Sequence, residues 1–168
     1  MDVVIVTKCP KDADRDPLVW RKKLKMRSDQ ELFFSEEHHL CPTWADPKRD
    51  GAIPTGTGTK AVLFTGIASA ASLLDHCRTI WNEVKHVPFR DHHAFSTRDL
   101  ERLASLFDTF AAGRGVLVTT AKDAARARHL LPGSALDGLP LVIIGVEARI
   151  LDRQNEFETI IMTHARPH

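Results

Sequence analysis

An α/β fold built on a parallel, Rossmann-like sheet is what this sequence predicts, and three observations carry it. Short apolar runs rich in β-branched residues recur at 3–6, 61–65, 116–119 and 141–144, the pattern of strands covered on both faces. Between them stand segments with helical spacing and helix-type ends. From residue 61 onward strand and helix alternate, and such alternation builds parallel sheets. Right-handed crossovers then carry the loops after Thr65, Pro88 and Thr119 to one edge of the sheet. Gly66, the run Asp91-His92-His93 and the pair Lys122-Asp123 are therefore expected to converge there.

The chain has 168 residues, enough for one domain with a real core or for one and a half small ones. Its formal net charge of +1 gives no global field that would argue for nucleic acid. Cys9, Cys41 and Cys77 are odd in number and widely spaced, without a CxxC. Neither a zinc knuckle nor a disulfide framework is indicated; reduced thiols in a cytosolic protein fit better. His38, His39 and Cys41 offer three ligand types without a fourth, so no metal site is expected. No apolar run approaches the length of a membrane span, which leaves open a protein that lies on a membrane surface.

Residues 3–6 suit a strand buried on both faces, ended by Thr7-Lys8-Cys9-Pro10. Polar Thr7 and Lys8 lie at its C-terminal end, where α/β sheets bind ligands, and are candidate cofactor-binding residues. Asp16 as N-cap and Pro17 at N1 open a helix over 17–26. Arg21, Lys22, Lys23, Lys25 and Arg27 make it strongly basic: a solvated face, or one that rests on anionic headgroups or a phosphorylated substrate. Leu32, Phe33 and Phe34 centre a short strand over 31–35. Residues 36–60, with Pro42, Pro47, Pro54, Gly51, Gly56 and Gly58, read as a long loop or linker. Gly56-Thr57-Gly58-Thr59-Lys60 lacks phosphate-loop spacing and precedes a strand, so it is no Walker A site.

After the strand 61–65 comes a tight turn at Gly66, then a helix over 69–80 with Leu73, Leu74, Cys77 and Ile80 on one side. The strand 83–88 leads into Phe89-Arg90-Asp91-His92-His93-Ala94-Phe95. Ser96 or Thr97 then caps a helix over 98–112, with Asp99 in its first turn and Leu100, Leu103, Leu106, Phe107 and Phe110 on one face. Gly113 and Gly115 bracket its end as C-cap glycines do. Beyond the strand 116–119, Thr120-Ala121-Lys122-Asp123 leads into a helix through Leu130, stopped by Pro132. A strand over 141–144 and a closing helix over 150–163 complete the chain, which is expected to divide into 1–30, 31–60 and 61–168.

The loop 89–95 holds the candidate chemistry. A carboxylate beside an imidazole fixes its tautomer and raises its basicity, which a proton-transferring histidine needs. Asp91, His92 and His93 are the candidate catalytic residues, with Gly66, Lys122 and Asp123 on neighbouring substrate-side loops. An exposed polar loop ahead of a helix cap is the plainer alternative.

Five segments, in this order, resemble the C-terminal half of the tetraacyldisaccharide 4'-kinases, the lipid A 4'-kinases of Gram-negative bacteria. They are Asp2-Val3-Val4-Ile5-Val6-Thr7-Lys8-Cys9-Pro10, Leu32-Phe33-Phe34-Ser35, Phe64-Thr65-Gly66-Ile67-Ala68, the 89–95 loop, and Val118-Thr119-Thr120-Ala121-Lys122-Asp123-Ala124. The Thr-Lys-Cys-Pro wording is most like the Bacteroidetes branch. The chain departs from the family at Ala121, where an acid is usual, and at Ser69 and Ala70, where a proline often follows Gly-Ile-Ala.

The resemblance implies a P-loop kinase of two α/β lobes, peripheral to the cytoplasmic face of the inner membrane. Its ATP, with Mg2+, phosphorylates the 4'-hydroxyl of a lipid A disaccharide precursor. It implies that His92 activates that hydroxyl, with Asp91 as its local orienting partner and His93 as the alternative. The phosphate loop and Walker B acids would belong to an N-terminal lobe preceding these residues. The first thirty or so residues would be a remnant of that lobe, and this chain alone would bind no cofactor and be inactive. Two other readings remain. Asp-His-His is also the signature of manganese-dependent phosphoesterases, which carry a DxD such as Asp12-Ala13-Asp14. The third is a non-catalytic interaction module.

Overall fold

The structure, a computed structural model, describes residues 2–10 and 12–165. In chain order its elements are β1 (Asp2–Val6), α1 (Pro17–Lys23), β2 (Gln30–His39), β3 (Thr43–Trp44), β4 (Gly56–Thr65) and α2 (Ala71–Ile80). There follow β5 (Trp81–Pro88), α3 (Thr97–Ala111), β6 (Gly115–Thr120), α4 (Ala121–Ala127), β7 (Leu141–Ile144), β8 (Val146–Ile150) and α5 (Gln154–Ala165). Two compact units divide them, one within 1–38 and 146–168 and the other 39–145. The breaks fall after His38 and Gly145 and not after 30 and 60, because β2 runs on to His39 and β8 pairs with β2.

The first unit holds a three-stranded sheet in the order β1-β2-β8. β1 runs parallel to β2, Val4 opposite Leu32 and Val6 opposite Phe34. It is one of the two outer strands, so the expectation of burial on both faces fails: Ile5 is exposed and Val3, Val4 and Val6 only partly covered. Trp20 of α1 meets Phe34 edge-on at 5.9 Å, and Phe157 of α5 meets Phe33 at 5.2 Å. Asp16 caps α1 as expected, accepting from Leu18 N at 2.8 Å, but the helix ends at Lys23 rather than 26. The closing helix starts only at Gln154, because 146–150 is spent on β8.

The second unit has a five-stranded sheet in the order β3-β7-β6-β4-β5. β4 is parallel to β5 and to β6, and β6 to β7, as strand–helix alternation demands; the short β3 is antiparallel to β7. Alternate residues of β4 feed two cores. Ala61 and Leu63 pack with Leu73 and Cys77 of α2, whereas Val62 and Phe64 pack with Leu100, Leu103 and Phe107 of α3. Both faces are covered, which is why the strands read as continuous apolar runs. Burial pushes the Cys77 thiol up to about 12, which makes it an inert core residue.

Residues 36–60 are less irregular than their glycines and prolines suggest. Gly56 and Gly58, at φ +80° and +85°, let β4 begin early through a register shift between Gly56 and Lys60. Gly115 is no cap: Ala112, at φ +46°, caps α3. A Cβ at Gly115 would stand 2.4 Å from Lys60 O and 2.7 Å from Ala111 Cβ, so glycine is there to let β4, β6 and α3 close up. α4 stops at Ala127 and the chain passes Leu130 as a turn, its N–H on Ala127 O at 2.8 Å.

Candidate functional site

Strand order reverses at β4: the chain moves outward to β5, then crosses back to place β6 and β7 on the other side. Ligand crevices of α/β sheets open at such a point, beyond the strands' C-terminal ends. The loops after β4, β5 and β6 meet there. Their centre is Asp123, whose side chain is fully buried. Its carboxylate accepts from Gly66 N at 2.9 Å, from Thr120 Oγ1 at 2.9 Å and from Arg126 Nη1 at 3.1 Å. Asp123 enters the site through sequence-local chemistry, since Thr120 caps α4 by accepting from Asp123 N at 3.0 Å. So placed it touches no solvent and ties the loops together.

Gly66 O receives His92 N at 3.2 Å and Arg126 Nη1 at 3.0 Å. A side chain at Gly66 would press on Asp123, Arg90 O and His93 at 3.2–3.3 Å. The β5–α3 loop lies over this turn. His92 adopts φ +60°, a left-handed conformation that costs a non-glycine residue about 1 kcal/mol and needs outside support. Its N–H has that support from Gly66 O and, at 2.9 Å, from Asp91 Oδ1. The His92 ring is largely exposed.

Asp91 is not the main partner of that ring. Its carboxylate stands 3.7 Å from His92 Nε2 and 3.7 Å from Lys122 Nζ, whereas Arg126 Nη2 lies 2.9 Å from His92 Nδ1. The true carboxylate–imidazole pair is the neighbouring one. Asp99 Oδ2 takes His93 Nε2 at 3.1 Å, Ser96 N at 2.9 Å and Ser96 Oγ at 2.7 Å, while Ser96 Oγ receives Asp99 N: a reciprocal capping box that also holds a histidine. Burial pushes the Asp99 carboxyl up, but the hydrogen bonds from Ser96 and His93 outweigh it and leave the group below its ordinary value. Phe89 stacks on the His93 ring at 4.7 Å and Phe95 meets it edge-on at 5.1 Å.

Gly66, Asp91, His92, His93, Lys122 and Asp123 are thus brought together as expected, Lys122 half-exposed at the rim. Thr7 and Lys8 belong to the other unit, where Lys8 pairs with Glu37 at 2.9 Å. Sequence reading missed Arg126. The Asp123-x-x-Arg126 spacing on a helix was the available signal.

The sequence matches the family model described as Tetraacyldisaccharide-1-P 4'-kinase over residues 1–166. The chain belongs to the tetraacyldisaccharide 4'-kinase family. Its relatives include the tetraacyldisaccharide 4'-kinases of Bacteroides thetaiotaomicron, 32% identical, and Phocaeicola vulgatus, 30% identical; each match covers 98% of this chain and 46% of the relative. The chain therefore spans about half the length of the curated relatives it matches. A crystal structure described as the apo form of LpxK from Aquifex aeolicus in complex with ATP covers 96% of this chain and 51% of its own, at 11% identity and a TM-score of 0.47. Family membership sets aside the phosphoesterase reading of Asp91-His92-His93.

Among the described residues the Gly56–Lys60 run does not form a phosphate cradle. Gly56–Thr65 is a strand, and no helix follows the Gly56–Lys60 glycines to aim its N–H groups at a phosphate. Among the described residues no group of three His, Cys, Asp or Glu could hold a metal ion. Nor, among them, is any helix long and apolar enough to cross a membrane.

Proposed function

We propose that this chain is the acceptor-side portion of an ATP-dependent kinase that phosphorylates the 4'-hydroxyl of tetraacyldisaccharide 1-phosphate in lipid A biosynthesis. The observation that carries the reading is the convergence of three strand-end loops on Asp91, His92 and His93 in a chain of this family. ATP with Mg2+ supplies the phosphoryl group, and among the described residues no glycine-rich loop at a helix N-terminus cradles its phosphates. Its binding falls to a phosphate-loop lobe like the one the family carries, with Thr7 and Lys8 as the contribution from this chain. The enzyme works at the cytoplasmic face of the inner membrane, on a lipid A disaccharide precursor.

What this chain's residues do is hold the acceptor and move its proton. A phosphoryl acceptor is activated by a base within reach of its hydroxyl, a contribution of roughly 10²–10⁴-fold in rate. His92 is exposed at the switch-point crevice and is the residue assigned to that proton. His93 is the alternative: Asp99 accepts from its Nε2–H and leaves Nδ1 as the acceptor nitrogen. Lys122, at the rim, suits an anionic group of the substrate.

The test is phosphate transfer from ATP to tetraacyldisaccharide 1-phosphate by the longest translated protein that contains this segment, native against His92→Ala and His93→Ala. His92→Ala is expected to lower kcat by roughly 10²–10⁴-fold with little change in KM for ATP, because the ring serves the acceptor. Loss confined to His93→Ala would move the role to His93. No transfer by a native protein in which a phosphate-loop lobe accompanies this segment would overturn the reading. The 168-residue chain by itself is expected to show neither transfer nor heat of binding to Mg-ATP.

A further inference from the structure

We propose that Arg126 is the positioning residue of His92, and that it holds the ring as a hydrogen-bond donor at Nε2 until the guanidinium is drawn away. The inference rests on the reading of His92 as the proton-handling residue. A guanidinium has five N–H donors and no acceptor, so at 2.9 Å from Arg126 Nη2 the nitrogen Nδ1 must present its lone pair. A neutral ring with its lone pair on Nδ1 carries its proton on Nε2. That nitrogen points outward, with Asp91 Oδ2, an acceptor, at 3.7 Å.

Arg126 is itself held in place. Nη1 donates to Asp123 Oδ1 at 3.1 Å and to Gly66 O at 3.0 Å, and the Arg126 side chain is only 22% exposed against 72% for His92. A buried carboxylate and a turn carbonyl thus aim the second guanidinium nitrogen at the ring. The left-handed backbone at His92 completes the aim, since its N–H shares the same Gly66 carbonyl. Among the described residues no carboxylate is bonded to Nδ1.

The consequence is chemical. With the proton on Nε2 and Nδ1 occupied, His92 has no free lone pair for an acceptor hydroxyl; it can only donate, for instance to an anionic oxygen. To accept a proton, the ring must lose the Arg126 contact and either move its proton to Nδ1 or turn over. Arg126 therefore decides which of two jobs His92 is able to do. An incoming anion that competes for the guanidinium would switch the ring from donor to acceptor.

The test uses the 168-residue chain with 15N-labelled histidine and arginine, observed by NMR at a pH where the imidazole is neutral. Native chain should show Nδ1 without a proton and a correlation across the hydrogen bond from an Arg126 guanidinium N–H. Arg126→Met keeps the aliphatic stem and should abolish the correlation and move the Nδ1 resonance to that of an open imidazole. Arg126→Lys should restore an acceptor-type Nδ1. A proton on Nδ1 in the native chain overturns the proposal, and this observation needs no variant. So does an unmoved Nδ1 resonance in a folded Arg126→Met chain. The outcome is independent of the transfer assay: a null His92→Ala effect there removes the proton-handling role from His92 and leaves the ring geometry standing, whereas an Nδ1 proton here sinks the positioning role alone.

Discussion

Asp123→Asn should be the most damaging single-atom change in the second unit. The wild-type carboxylate is fully buried and accepts from three donors: the Gly66 backbone, the Thr120 hydroxyl and the Arg126 guanidinium. An amide has one oxygen and one NH2. If the oxygen faces Gly66 and Thr120, the NH2 confronts the guanidinium, donor against donor. If it faces Arg126, two donors are left facing NH2. Either way a buried ion pair is broken with its partner in place, which costs about 3–5 kcal/mol. With a urea m-value of roughly 2 kcal/mol/M for a chain of this size, the midpoint should fall by roughly 1.5–2.5 M. Urea unfolding of native and Asp123→Asn chains, both carrying Trp20→Phe and Trp44→Phe so that buried Trp81 alone emits, measures it. A fall of about 0.3 M or less would show that the loops hold together without this carboxylate, and the argument that it organises the site would be wrong.

Two further perturbations follow from the same coordinates. Gly115→Ala places a methyl against the Lys60 carbonyl and the Ala111 side chain, so the backbone must move, and a loss of about 1–3 kcal/mol in urea unfolding is expected; a neutral effect would refute the close approach. Asp99→Asn removes the capping box and the His93 partner, and thermal unfolding at neutral pH should register about 0.5–2 kcal/mol. Because the folded carboxyl lies below the ordinary aspartate value, its contribution is present above that ordinary value and is lost as pH falls through the folded one. The variant should therefore lose less stability on acidification than the native chain, and equal acid slopes would count against the assignment.

The parallel sheet was legible because both faces of β4, β6 and β7 are covered, so their sequences carry no polar alternation to confuse the reading. The convergence of the loops was legible for a topological reason: crossover handedness alone puts Gly66, Asp91 and Lys122 at one edge. The pairing inside the site was not. Adjacency in sequence suggested Asp91 for His92, but a left-handed backbone at His92 turns the ring away, and Arg126 reaches it from a different element. Asp99 was legible as a first-turn acid and completes the capping box with Ser96; that it also holds His93 depends on a fold-back of six residues that no periodicity announces. β8 escaped because 146–150 is mostly exposed and short, with only its pairing to β2 to mark it as a strand.

Leu40 N donates to Gly145 O at 2.9 Å, so the second unit enters and leaves at one spot. The chain thus carries residues 39–145 as a closed insert within the other unit. On a ribosome this fixes an order of events. Strands β1 and β2 emerge ahead of the insert but must wait for β8, while everything the insert needs has already been made by the time Gly145 appears. Synthesis therefore completes residues 39–145 before the β1-β2-β8 sheet can close.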